Sequence, residues 1–266
     1  MIVDYHMHLR DERNDIDHTA DAAEKFVSRA RERGVDEIGF TEHCYYFVQT
    51  RACWSRPYQL ERCVYDLETY VDAVLEAKRR GLPVKLGIEV DWSPPGDETL
   101  AELLEPYPWD YLLGSVHWLD GLSVDGAFDR GAWREWPPEH VWRRYVEEWC
   151  RAARSGRFDV MSHPDLAKIF RVRGGDEHYA AMAEAADDGD VALEISTAGL
   201  RKPVGELYPD ERLLRASRAP VTLASDAHEP ALVGEEFEQA VALARRCGRE
   251  TVSVLDGRVR RQEPLG

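Results

Sequence analysis

His6 and His8 stand two residues apart in VDYHMH (residues 3–8), and Asp226 and His228 repeat the spacing in LASDAH (residues 223–228). Each pair directly follows a short β-prone run. On extended backbone, side chains at i and i+2 point to one side. Imidazoles and carboxylates set out in this way suit a transition-metal ion, and pairs from opposite ends of the chain can close on one site. Residues of the same types end other apolar runs: His43 in EIGFTEH, Glu89 in VKLGIEV, His117 in DYLLGSVH, His163 in FDVMSH, and Glu194 with Ser196 in VALEIS. One histidine after a strand is more often a surface or hydrogen-bonded residue than a ligand. Six of the nine histidines lie within three residues of such an end, however, and it is the group that points to metal. So many ligands exceed the needs of one ion, and Glu89 could bridge two. Ions about 3.5 to 4 Å apart hold a hydroxide between them and neutralise the oxygens of a transferring phosphoryl group. The expected chemistry is hydrolysis.

The elements that must position these residues follow from periodicity. A strand at Ile2–Tyr5 precedes a helix from about Ala20 to Arg33, stopped by Gly34, and a helix from about Arg62 to Arg80 stops at Gly81. Further helices are expected near Pro138–Ser155, Glu177–Asp188, Leu207–Arg218 and Glu229–Arg246. Strands alternating with amphipathic helices imply parallel pairing through right-handed crossovers, and seven suffice for a barrel or a doubly wound sheet. In a closed parallel barrel the C-terminal strand ends share one face, so the residues above would converge. With no internal repeat, low-complexity tract or linker, one domain over residues 1–266 is expected. The longest irregular stretches, Cys44–Glu61 and Leu119–Pro137, are rich in aromatics. Tyr45, Tyr46, Phe47, Trp54 and Tyr58 could form a lid or pack their loop onto the barrel, with packing favoured for Phe47 and Trp54. Trp142, Tyr145 and Trp149 recur at helical spacing and are read as core, and His140 and His178 as ordinary helix-surface residues.

Composition narrows the partners. Lys and Arg total 34 against 50 for Asp and Glu, a net charge of -16 that repels a polyanion, so nucleic acid is not expected. A small anionic substrate is compatible, because bound metal ions set the local field. The five cysteines contain no C-x-x-C pair, which fits neither a disulfide scaffold nor a zinc ribbon and suggests a cytoplasmic protein. No apolar stretch approaches the roughly 18 to 20 residues that span a bilayer, and no signal-like leader is seen, so neither export nor membrane insertion is expected.

The motifs HMH (6–8), TEH (41–43), GIEVDW (87–92), GSVHWLDG (114–121), SHPDL (162–166), EISTAGLRKPVGELYP (194–209) and SDAH (225–228) resemble the PHP (polymerase and histidinol phosphatase) superfamily. Within it they look most like the monofunctional histidinol-phosphate phosphatases. The likeness spans roughly Met1 to Gly234.

The resemblance implies a distorted (β/α)7 barrel, of the α/β class, with a trinuclear centre of Zn, Fe or Mn. The implied ligands are His6, His8, Glu89 and Asp226 for one ion, Glu89, His117 and His163 for the second, and His18, His43 and His228 for the third. His18 lies in DERNDIDH, which departs from the usual loop in spacing and composition. The implied reaction is hydrolysis of L-histidinol phosphate by a metal-bridging hydroxide, with Asp226, His228 or a water they orient protonating the leaving alkoxide. Lys168, Arg171, Arg201 and Lys202 are the candidate phosphate partners, and Glu194, Asp91 or an aromatic face the candidates for the substrate's cationic end. Other readings are a phosphoesterase of the same superfamily acting on nucleotides or other small esters, a polymerase-associated module, and a non-catalytic metal-binding domain. Oligomeric state is not readable from the chain.

Overall fold

The computed structural model describes residues 1–10, 13, 15–94, 97–126 and 131–266. In chain order the elements are β1 (Val3–Asp4), α1 (Ala20–Glu32), β2 (Glu37–Phe40), α2 (Pro57–Arg62), α3 (Leu67–Arg79), β3 (Val84–Asp91), α4 (Asp97–Leu104) and β4 (Tyr111–Ser115). There follow β5 (Trp118–Leu119), β6 (Leu122–Ser123), α5 (Gly131–Glu135), α6 (Pro138–Ala153), β7 (Val160–Met161), α7 (Asp176–Gly189), β8 (Ala192–Ser196), α8 (Glu211–Ala216), β9 (Val221–Ala224), α9 (Phe237–Arg246), β10 (Thr251–Asp256) and β11 (Val259–Pro264).

Seven strands form one sheet in the order β1-β2-β3-β4-β7-β8-β9, each pair parallel. The edges meet where the Tyr5 N–H donates to Leu223 O at 3.0 Å, the His8 N–H donates to Ala227 O at 2.8 Å, and Met7 bridges Ala227. The result is the distorted seven-stranded barrel expected, with its helices outside. Strand and helix ends follow local chemistry. Thr19 caps α1 by accepting from the Ala22 N–H, Asp66 caps α3 by accepting from the Thr69 N–H, and Gly34 and Gly81 take the positive φ that ends each helix.

The barrel interior is stacked in levels. Along β3, Lys85, Gly87, Glu89 and Asp91 share the inward face. At the lowest level Lys85 Nζ lies 2.7 Å from Asp256 and 3.7 Å from Glu37, which also accepts from the Tyr5 hydroxyl. Above it the Tyr111 ring stacks on Tyr5 at 5.2 Å and donates to the Tyr5 carbonyl at 2.8 Å. A Cβ at Gly39 would lie 2.0 Å from the Tyr111 hydroxyl, and one at Gly87 2.7 Å from its ring, so only glycine lets that ring cross the barrel. Glu89 begins the top level. The β10–β11 hairpin floors the opposite end: the Arg258 and Gly257 N–H groups donate to Asp110, and Arg258 Nε pairs with Asp159 at 2.6 Å.

Several elements differ from the sequence reading. The stretch after β2 holds short 3-10 turns at Cys44–Tyr46 and Val48–Cys53 and then α2, and the stretch after β4 holds the β5–β6 hairpin and α5. The helix expected from Leu207 begins only at Glu211, because Tyr208 is bridged to Ser196 and Asp210 supplies the cap. The helix expected from Glu229 begins at Phe237, since Gly234 turns at positive φ to donate its N–H to buried Asp4. Phe47, Trp54, Trp142, Tyr145 and Trp149 are core, as read. His140 and His178 are both partly exposed. His178 additionally accepts from the Gly175 N–H at the start of α7 and stacks on Trp142. No helix among the described residues is long and apolar enough to cross a membrane.

Candidate metal centre

The top level gathers side chains from most of the strand ends around Glu89, which is 1% exposed. Its Oε2 faces His43 Nδ1 at 2.7 Å, His6 Nε2 at 3.4 Å and His8 Nε2 at 3.7 Å. Its Oε1 faces His163 Nε2 at 3.3 Å and His117 Nε2 at 3.5 Å. A carboxylate with one oxygen toward each of two imidazole groups is arranged as a bridge. Asp226 Oδ1 stands 3.5 Å from His8 Nε2 and 3.7 Å from His6 Nε2. Potential ligand atoms within 4.8 Å of one another fall into the sets His6–His8–Glu89, His43–Glu89–His117 and His8–His43–His228.

These groups fit metal ions on a physical test. His6 Nε2, His8 Nε2, His43 Nδ1, Glu89 Oε2 and His163 Nδ1 are buried without a hydrogen bond among the described residues. Each such atom costs on the order of 1–3 kcal/mol if nothing meets it. Nearly all of them converge on one space, and their N/O donor chemistry suits Zn, Fe or Mn.

Carboxylates behind the imidazoles set their direction. Glu194 Oε2 meets His6 Nδ1 at 2.9 Å, Glu42 Oε2 meets His8 Nδ1 at 3.4 Å, and Asp91 meets His117 Nδ1. Each leaves Nε2 aimed at the centre. Glu42 and Glu194 are themselves pinned, accepting from the Leu9 N–H at 2.6 Å and the His163 N–H at 2.9 Å. This orienting role was missed from the sequence, although the i+2 spacing in GIEVDW already put Asp91 on the Glu89 face. His163 and Asp226 hold positive φ of 22° and 52°, a strained backbone of the kind found at functional sites.

Charge follows the same geometry. Burial works against a charged His117, but Asp91 and Glu89 outweigh it and push its pKa up to about 10. His6 is likewise raised against its burial by Glu194, Glu89 and Asp226. Burial, reinforced by His8, pushes His228 down to about 3, and burial also lowers His43. Burial opposes ionisation of Glu89 and Asp226, yet facing histidines hold both carboxyls well below the usual range. His6, His8 and His117 of the metal-free cluster are thus held toward the protonated form, and a cation must displace those protons.

His18 lies to one side. Its Nε2 stands 3.6 Å from Glu42 Oε1, among the rings of Phe47, Tyr65 and Tyr70. The structure sets His8, rather than His18, beside His43 and His228, because Glu42 stands between His18 and the centre.

A cavity of about 770 Å³ opens over the cluster, lined by Tyr45, Tyr46, Arg56, Tyr58, Trp118 and Lys202 among others. The expected phosphate partners are distributed differently from the sequence reading. Lys202 lines the cavity. Lys168 is 1% exposed, 3.0 Å from Asp165, and donates to Leu207 O, so its ammonium is consumed within the core. Arg171 is exposed and donates to Pro203 O at 2.6 Å, away from the cavity. Arg201 donates to Ser225 O at 2.6 Å and Asp226 O at 3.3 Å and braces the loop that carries Asp226. Glu194, expected at the substrate's cationic end, is fully buried with both oxygens taken by His6 and His163. Arg10 and Arg56 line the cavity and were not singled out from the sequence, where nothing in their spacing distinguishes them from the other arginines.

Comparison with known proteins gives a consistent picture. A model of the PHP domain matches residues 4–198. A protein of Deinococcus radiodurans named "Probable histidinol-phosphatase" is 33% identical over 244 residues, 89% of this chain and 91% of that one. A second of the same name, from Clostridium acetobutylicum, is 26% identical over 71% of this chain and 77% of its own length. In structure, the chain superposes on the histidinol phosphate phosphatase of Lactococcus lactis subsp. lactis, crystallised with Zn, L-histidinol and phosphate, with a TM-score of 0.76. That match has 20% sequence identity and covers 98% of both chains, a likeness of fold.

Proposed function

The chain belongs to the PHP domain family, and from that membership we propose that it is a metal-dependent phosphomonoesterase that hydrolyses L-histidinol phosphate to L-histidinol and phosphate. The observation that carries the reading is Glu89, set between two imidazole groups, with the His6, His8 and His43 nitrogens that face its Oε2 buried and without partners among the described residues. We assign His6, His8, Glu89 and Asp226 to one ion and Glu89, His117 and His163 to a second. A third ion would take His43 and His228, with His8 nearer to them than His18. Ions of Zn, Fe or Mn held there would supply a hydroxide nucleophile near neutral pH and neutralise charge on the phosphoryl oxygens.

The chain's own groups would do the rest. Glu194, Glu42 and Asp91 keep the imidazoles in the tautomer that presents Nε2. Lys202 offers an ammonium to the phosphate from the cavity wall. Tyr45, Tyr46, Tyr58 and Trp118 narrow the space and exclude water from it. The leaving alkoxide needs a proton, which Asp226 or His228, both in the cavity wall, or a water they orient would supply. Such an enzyme would act in histidine biosynthesis in the cytoplasm.

The test is phosphate release from histidinol phosphate against a panel of other phosphomonoesters and diesters, before chelation, after it, and after each metal is restored. A marked preference for histidinol phosphate that disappears on chelation and in His117→Ala is the expected result. Metal-dependent turnover of nucleotides instead would retain the centre and replace the substrate, and no turnover with ions bound would point to a binding role.

A further inference from the structure

The carboxylates best suited by sequence to hold a cationic substrate group are already engaged. Glu194 is taken by His6 and His163, and Asp91 by His117 and Gln59. Asp125 is different. It lines the cavity, is only partly exposed, and has no hydrogen bond or ion pair with any described residue. Its position is nevertheless fixed. The β5–β6 hairpin turns the chain back so that the Val124 N–H donates to His117 O at 2.8 Å, and Trp133 Nε1 donates to Val124 O at 3.0 Å. Val124 is fully buried, so the next residue presents its side chain beside the metal-facing His117. The charge of Asp125 is felt there, at Tyr208 in the cavity wall and at buried Tyr145. Glu61 also lines the cavity but is exposed, where solvent screens it.

We propose that Asp125 binds the ammonium of the substrate and so selects phosphate esters of amino alcohols over neutral esters. This rests on the phosphatase reading above. The ester's phosphate belongs at the imidazole cluster and its cationic end needs a charge-assisted acceptor some way off. A site built to pair a charged group rejects the analogue lacking it more sharply than a site that only fits shape.

The experiment compares histidinol phosphate with its des-amino counterpart, the same ester with hydrogen in place of the amine, in the metal-loaded wild type and in Asp125→Asn. Asp125→Asn is expected to lower kcat/KM for the amine ester by roughly 10- to 100-fold, mainly through KM, and to change the des-amino ester by less than about threefold. Calorimetric titration with the amino alcohol and with its des-amino counterpart gives a readout that needs no turnover, and wild type should prefer the former by at least about tenfold where the variant does not. An equal fall for both esters, or no change in either, overturns the proposal. If wild type hydrolyses neither ester, the phosphatase reading fails, and the titration alone still decides Asp125: equal affinity of wild type for both alcohols overturns it.

Discussion

Replacing Asp91 by Asn tests the orienting carboxylates directly. Asparagine keeps the shape and can still accept from His117 Nδ1, so the tautomer survives while the charge is lost. At neutral pH the loss of such a partner is expected to weaken metal binding by about 10- to 100-fold. The pH dependence is more telling. His117 carries its proton up to a pKa of about 10, because Asp91 and then Glu89 outweigh the effect of burial. At pH 7 that proton competes with metal by about three pH units, or about 4 kcal/mol, and the competition fades as pH rises. Wild-type affinity should therefore gain a factor approaching ten per pH unit from this residue between about pH 7 and 10. In Asp91→Asn His117 is deprotonated earlier, so that gain is largely absent and the variant falls further behind as pH rises. Competition against a chromophoric chelator at pH 7, 8 and 9 measures both slopes. Slopes that do not differ, or an affinity equal to that of wild type throughout, would refute the reasoning.

Other outcomes follow from the barrel interior. Gly39→Ala drives a methyl to 2.0 Å from the Tyr111 hydroxyl, and overpacking plus loss of the Tyr111–Tyr5 bond should cost about 2–4 kcal/mol, read as a lower urea midpoint. An unchanged midpoint would show that the ring does not cross there. Lys168→Met leaves Asp165 buried without its cation and should destabilise by about 3–5 kcal/mol with little change in KM of the folded fraction, whereas a large KM effect would return Lys168 to the substrate. Burial raises the Asp4 carboxyl to about 6 from an ordinary 3.8, so the native state binds its proton more tightly than the unfolded chain does. Stability from this group is therefore full below about pH 4 and lost by about 3 kcal/mol as pH rises through 6. A carbon-13 titration of the chelated protein should find the Asp4 midpoint near 6, and a midpoint at or below 4 would contradict this.

The parallel barrel was legible because strand and helix signals alternate and each strand ends in a ligand-type residue. That regularity alone puts His6, His8, His43, Glu89, His117, His163, Asp226 and His228 on one face. What was not legible depends on long-range partners. Lys168 reads as a free cation until Asp165 and Leu207 are seen around it. Glu194 reads as a substrate acid until His6 is found against it. The β10–β11 hairpin lies beyond the last strand–helix repeat, and it is held to the barrel by Lys85, Asp110 and Asp159, which come much earlier in the chain. Asp125 carries no motif, and only a cavity wall distinguishes it from other surface acids.

The tyrosine pair that crosses the barrel divides its inside into separate compartments. Below Tyr5 and Tyr111 lies an ionic mesh of Lys85, Glu37 and Asp256, and above them the imidazoles converge on Glu89. Lys85 and Glu89 are four residues apart on one strand, a rise of about 13 Å. Substitutions more than about 7–10 Å apart that share no partner usually act independently. The lower mesh can thus drift, strengthening or loosening the scaffold, without retuning the basicity of any ligand above it. Heat tolerance and catalytic chemistry would then be adjustable one at a time, and the two glycines that admit the Tyr111 ring are the residues on which that independence depends.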